Sequence, residues 1–150
     1  MFSEQLYYTI LNLTSIYIYD RTLQQIFSDK ARWYQLHFII NTIVTINILP
    51  KITYIIFDPK NYYEINESNN LTNYLGNYQL CLHIYHIIAF NNLNFWDYFH
   101  HIIFAFFGII PGFFFVKSNQ LFFHKITCAG IPGMIEYSSL FLYKHNKISK

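Results

Sequence analysis

A chain of 150 residues that is 53% hydrophobic, 21% aromatic and only 12% charged falls far below the roughly 25% charged residues of an ordinary soluble domain. So few charges cannot clothe a water-soluble surface. A formal net charge of +2, with no basic stripe, excludes nucleic acid as the expected partner. The 16 Phe and 14 Tyr suit a place where side chains meet lipid at one end and water at the other. The abundant Ile, Asn, Tyr and Lys have the bias of an AT-rich genome, and neutral Asn dilutes hydropathy, so the mean hydropathy of +0.20 understates the apolar character.

Five apolar stretches follow one another with no repeat between them. The expected fold class is all-α: a polytopic membrane helix bundle of four to five transmembrane helices, several kinked at proline, forming one domain over 1–150. The first stretch, 6–19, falls short of the roughly 20 residues needed to cross hydrocarbon. It reads equally as an interfacial helix or a span, so 1–29 stands as an N-terminal segment of either kind. Glu4 occupies what would be the basic region of a leader and no small-residue cleavage site follows, so a cleaved signal peptide is not expected. A polar connection, 20–32, carries Arg21, Lys30 and Arg32.

The second stretch, 33–57, contains Pro50 and a polar stripe of His37, Asn41 and Thr45 at i, i+4 and i+8. After it comes an acidic connection, 58–77, with Asp58, Glu64 and Glu67 and two glycosylation sequons, Asn66-Glu67-Ser68 and Asn70-Leu71-Thr72. The third stretch, 78–95, places His83 and His86 on one helical face. Only 91–94 separates it from the fourth, 98–116, so the two form an antiparallel hairpin. The fourth contains Pro111 and begins with His100 and His101, about 100° apart on a helix, so one faces the bundle centre more squarely than the other. Asp97 lies one turn before His101, where it either orients an imidazole or merely caps the helix. The fifth stretch, 121–143, carries Pro132 and Glu136. Cys81 and Cys128 read as small buried side chains, with no disulfide.

Loop charges orient the bundle. Arg21, Lys30 and Arg32 in the first connection, with Lys144, Lys147 and Lys150 at the C-terminus, put both regions on the cytosolic side, and the 91–94 turn with them. The 58–77 connection then lies on the lumenal side, where Lys117 and Lys125 fit poorly. At about 1.5 Å per residue, this topology sets His37, His86 and His101 roughly 6 to 9 Å inside the cytosolic boundary, with Glu136 at about 12 Å. Ionisable groups inside a membrane are costly and mark function, and here they reach one depth from four helices.

Lys30-Ala31-Arg32-Trp33 with His37, then His83-Ile84-Tyr85-His86, then Asp97-Tyr98-Phe99-His100-His101, resemble the order of signatures in the TLC-domain family of multipass membrane proteins. The stretch from Gly130 to Tyr137 with Glu136 is similar in placement to the acidic segment of its ceramide synthase branch. The resemblance covers about 30–144. It implies an integral protein of the endoplasmic reticulum or a related endomembrane, with membrane lipids as partners, acting in lipid metabolism, sensing or transport. From the synthases it implies acyl transfer from acyl-CoA to an amphiphilic amine or hydroxyl. Carried across, the resemblance points to His100, His101 and Glu136; with Asp97 one turn before His101 they make the expected catalytic set, while the inward-facing His37, Asn41, His83 and His86 are the expected substrate-binding residues, with no metal or cofactor expected. The chain departs from that branch in having one Glu in place of paired Asp and in being much shorter. Two other functions stay open: a non-catalytic lipid-binding or structural membrane protein, and a di-iron lipid hydroxylase. Too few His occupy the right zone for the around eight ligands that a di-iron centre needs.

Overall fold

The computed structural model describes residues 2–62, 70–111, 123 and 125–149, and every regular element among them is helical. We number five helices: α1 (Phe2–Phe27), α2 (Arg32–Phe57), α3 (Asn70–Ala89), α4 (Phe95–Ile103) and α5 (Ile131–Lys144). Wider π-type turns, Phe104–Ile109 and Ile126–Gly130, continue α4 and lead into α5. The latter ends just before Pro132, which lies in the first turn of α5. A single segment among the described residues, Asp29–Phe57, is long and apolar enough to cross a membrane by length and composition.

The first polar connection differs from its expected form. No Gly or Pro interrupts 2–27, and α1 runs through Asp20 and Arg21 for 26 residues, about 39 Å at the usual rise. It stops at Ser28, whose φ of 66° turns the chain toward α2. Asp20, read from sequence as the start of a loop, is fully buried. Arg32 grips it through Nε to Oδ1 at 2.8 Å and Nη2 to Oδ2, and Tyr85 donates its hydroxyl to Oδ2 at 2.7 Å. The guanidinium also lies 4.2 Å from the centre of the Phe90 ring. One buried carboxylate thus ties α1, α2 and α3 together. A bidentate pair of this kind fixes geometry as well as charge. Arg32 is therefore a structural cation rather than a free loop charge of the sort that orients a membrane protein.

The remaining boundaries shift less. The 58–77 connection is shorter than expected because α3 already begins at Asn70. The sequon at Asn66, the Pro111-distal end of the fourth stretch and Lys117 lie outside the described residues. The hairpin turn stands where expected, with residues 90–94 between α3 and α4. C-terminally, α5 closes with Asn146 at φ 57°, Asn146 N–H on Tyr143 O and Lys147 N–H on Leu142 O, the double bond of a left-handed helix cap.

Helices α1 and α3 pack along one seam, and α2 packs on α5. The first seam is polar. Asn12 Nδ2 donates to Tyr74 O at 2.9 Å, Asn77 Nδ2 to Thr9 Oγ1 at 2.6 Å, and Ser15 Oγ meets the Tyr78 hydroxyl at 2.9 Å. At the second, a Cβ added to Gly133 would overlap the Asn41 amide, and one on Gly130 would overlap Thr45 Oγ1, so two glycines permit the close approach. Ile16, Leu36, Ile40, Val44, Ile48 and Leu82 form the apolar core between the seams.

Polarity is inverted over much of the surface. Exposed positions include Ile10, Tyr17 and Ile18 on α1, Ile46, Leu49 and Ile56 on α2, and Phe95, Trp96 and Phe99 on α4. On these outer faces Thr14, Thr53 and Asn47 donate to carbonyls one turn back in their own helices, which removes their need for water. Buried instead are Asn12, Asp20, Gln35, His37, Asn41, His83, His86, His101 and Lys125.

Candidate functional site

The stripe on α2 aims His37, Asn41 and Thr45 inward, and all three are buried. The α3–α4 hairpin brings His83 and His86 against His100 and His101. Ring centroids lie 4.6 Å apart for His37 and His86, 5.1 Å for His86 and His101, 4.8 Å for His83 and His101, and 5.6 Å for His83 and His100. Five imidazoles from three helices therefore form one contiguous cluster. Aromatic plates bound it: Trp33 stacks on His86 at 4.1 Å with an interplanar angle of 8°, and Tyr137 of α5 stacks on His37 at 4.3 Å.

Beside the cluster is a cavity of about 190 Å³, with His37, Asn41, Gln79, His83, His100, Lys125, Glu136 and Tyr137 in its wall. At roughly 30 Å³ per water it has room for about six waters or a small polar headgroup. Of the residues in its wall, His100, Cys128 and Glu136 are solvent-exposed, whereas His37, Asn41 and Lys125 are buried.

Of the expected catalytic set, His100 and Glu136 line the cavity itself. His101 stands behind His83, to which it is joined by a contact between the two Nδ1 atoms. Asp97 does something else. Its Oδ2 accepts the Asn94 N–H at 3.0 Å, and Asn94 Oδ1 accepts the N–H groups of Trp96 and Asp97. This reciprocal capping box starts α4, so the helix-cap alternative describes the geometry and the imidazole-orienting alternative does not. Of the expected binding set, His37, Asn41 and His83 line the cavity, while His86 is sealed behind His37 and Trp33 with no exposure.

Several residues escaped the sequence reading. Lys125 is a cavity wall group and not a loop charge, and the signal for it was present as a lone cation inside an apolar stretch. Gln79 and Tyr137 joined the site only through packing. Cys128, expected to be buried, is exposed, while Cys81 is buried, and the two form no disulfide.

The cluster carries an electrostatic and hydrogen-bonding deficit. His37 Nε2, both nitrogens of His86, His101 Nε2, Gln79 Nε2 and both polar atoms of Gln35 are buried without a hydrogen-bond partner among the described residues. Leaving such groups unpaired costs about 1–3 kcal/mol each. A fold retains such a cost where the groups serve a ligand or trapped water.

A second cleft, about 770 Å³, lies at the end of the bundle where the α1–α2 connection, the 91–94 turn and Lys144 come together. Arg21, Lys30 and Lys144 give this end its positive charge, with Asp29 and Asp97 beside them. The regions assigned to one side of a membrane from loop charges are thus neighbours in space. Compared with known proteins, the chain matches no family model, no curated protein and no solved structure.

Proposed function

We propose that this chain is a multipass membrane protein of the TLC-domain kind that holds an amphiphilic lipid with its polar group in the histidine cavity. The observation that carries this reading is the inversion of polarity. Apolar and aromatic side chains cover much of the outer faces, while His37, His83, His100, Lys125 and Glu136 line one cavity and His86 and His101 are buried behind it. Water would reward the opposite arrangement, whereas hydrocarbon makes every outward ionisable group expensive. Self-bonded hydroxyls on the outer faces support the same environment. In this reading α1, α2 and α3, at 26, 26 and 20 residues, all reach across roughly 30 Å of hydrocarbon, and the protein resides in an endomembrane such as the endoplasmic reticulum.

The finer proposal is acyl transfer. His100, exposed in the cavity wall, removes the proton from an amine or hydroxyl of the bound amphiphile as that atom attacks the thioester carbonyl of an acyl-CoA. The departing thiolate then takes the proton from the imidazolium. Glu136, in the same wall, stabilises the imidazolium between the two steps, and the phosphates of the donor meet Arg21, Lys30 and Lys144 at the basic cleft. Asp97, occupied as a helix cap, has no part in this chemistry.

The test is lipid mass spectrometry of the detergent-purified full chain, followed by turnover with labelled acyl-CoA and a long-chain amine. One amphiphile class enriched over the bulk membrane, and lost in the His100→Ala/Glu136→Gln double variant, is the expected result. A copurified lipid profile equal to that of the membrane overturns the reading. Enrichment without turnover leaves lipid binding as the function and removes the transfer step.

A further inference from the structure

We propose that His83, His100 and His101 form a mononuclear binding site for a divalent transition metal of the zinc type, with its open coordination position facing the cavity. One ring nitrogen from each of the three lies within 4.8 Å of the other two. A tetrahedral zinc with bonds of about 2.0–2.1 Å holds its nitrogen ligands roughly 3.3 Å apart. The His83 and His101 Nδ1 atoms already sit closer than that, at 2.5 Å, and the widest spacing in the set exceeds it, so ångström-scale adjustments of side chains close the site. The two Nδ1 atoms share a hydrogen bond in which one imidazole donates to the other, and an entering cation would replace that proton and spread the two rings.

Position in the chain suits a cation site. His100 and His101 are adjacent on α4, and the capping box that begins α4 fixes their phase. His83 comes from the other arm of a hairpin joined by 90–94, so the site needs no long-range assembly. Two ligands are buried and the third is exposed, which provides an entry path. Both His83 and His100 also line the cavity, so a fourth ligand, water or a lipid oxygen, approaches from that side, as in zinc sites that keep an open position. Three neutral imidazoles suit zinc, copper, iron or nickel better than magnesium or calcium. The charges nearby are mixed, with Glu136 in the cavity wall complementing a dication and Lys125 opposing it. His37 and His86 stand outside the set, face to face with Tyr137 and Trp33.

This site departs from the expectation of a metal-free protein and from the di-iron alternative, because it needs three ligands and one ion. It deepens the lipid-site proposal and rests on it only for its purpose: a bound metal would polarise an ester or thioester carbonyl entering the cavity, and Glu136, in the same wall, would replace the metal-bound His100 as the base.

Binding can be read without lipid or activity. The full chain, expressed without a polyhistidine tag, purified in detergent and stripped with a chelator, is titrated with Co²⁺ as a spectroscopic stand-in for zinc. One ion per chain with the strong visible absorption of a four-coordinate cobalt site, displaced by Zn²⁺, is expected. His100→Ala should weaken binding by at least about 100-fold, beyond what loss of an outer-shell partner costs, while His145→Ala leaves it unchanged. If His100→Ala does not keep its helical circular dichroism, His100→Gln decides in its place. No saturable cobalt signal, or an equal signal in the His100 variant, overturns the site. Metal bound without enriched lipid overturns the lipid reading alone, and enriched lipid without metal overturns the metal site alone.

Discussion

Two buried polar regions lie within the same bundle and are built on opposite terms. Along the α1–α3 seam, side-chain donors find acceptors: Asn77 bonds both Thr9 Oγ1 and Gln5 O, Asn12 bonds Tyr74 O, Ser15 meets Tyr78, and Asp20 is bonded by Arg32 and Tyr85. In and behind the cavity formed by α2, α3, α4 and α5, His37, His86, His101, Gln35 and Gln79 keep buried polar atoms without partners among the described residues. In the proposed membrane setting, the first pattern would hold helices together where apolar packing alone gives no preference over lipid. The second spends stability on groups that the fold itself does not use. Asn12 Oδ1 on the seam and His145 Nε2 also lack partners among the described residues, so unsatisfied polarity is concentrated around the cavity without being confined to it.

That contrast breaks most visibly at the ion pair. Arg32→Met leaves the fully buried Asp20 carboxylate without its cation, and loss of about 3–5 kcal/mol is expected. Unfolding of the detergent-purified protein in graded denaturing detergent measures it, and a change below 1 kcal/mol would place Asp20 in water. A smaller loss, about 1–3 kcal/mol, should follow Gly133→Val, because the Asn41 amide already fills the space its side chain needs. Cavity ligand binding should fail together with stability in that variant.

Removing one rung of the satisfied seam sharpens the comparison. Asn77→Ala should cost about 1 kcal/mol, in the range measured for interhelical hydrogen bonds in membrane proteins, with metal and lipid binding intact by the assays above. The smallest effect belongs to the unsatisfied region. His86→Phe keeps a ring against Trp33 and removes two unpartnered nitrogens, so stability should stay within about 0.5 kcal/mol or rise, since replacing an unpaired polar group by an apolar one of like shape is nearly neutral. A loss of 2 kcal/mol in thermal or denaturant unfolding would show that His86 is bonded, and would erase the distinction between the two regions.

Much of this was legible in the residues. The helical class, the α3–α4 turn and the inward stripe of His37, Asn41 and Thr45 follow from spacing on a 3.6-residue helix and from the cost of outward polar groups; of the set expected at one depth, His37 and Glu136 line the cavity, while His86 and His101 pack behind it. The errors share one cause: polarity was read as a boundary. Asp20 looked like the end of an apolar run because its partners, Arg32 and Tyr85, are 12 and 65 residues away. Lys125 looked like a misplaced loop charge because the cavity that receives it is made by other helices. Asp97 had two local readings of equal spacing, and the backbone hydrogen bonds of Asn94 chose between them.

The sequence by itself determined that the chain is helical, too apolar for an ordinary soluble surface, and rich in histidine at positions that turn inward, because composition and periodicity are local properties that need no partner. Only the tertiary structure decided which polar groups pair and which stay open, since pairing depends on distances between helices far apart in the chain. The metal-competent triad of His83, His100 and His101 is of this second kind: each residue was visible, but only the hairpin's register put one nitrogen from each within 4.8 Å.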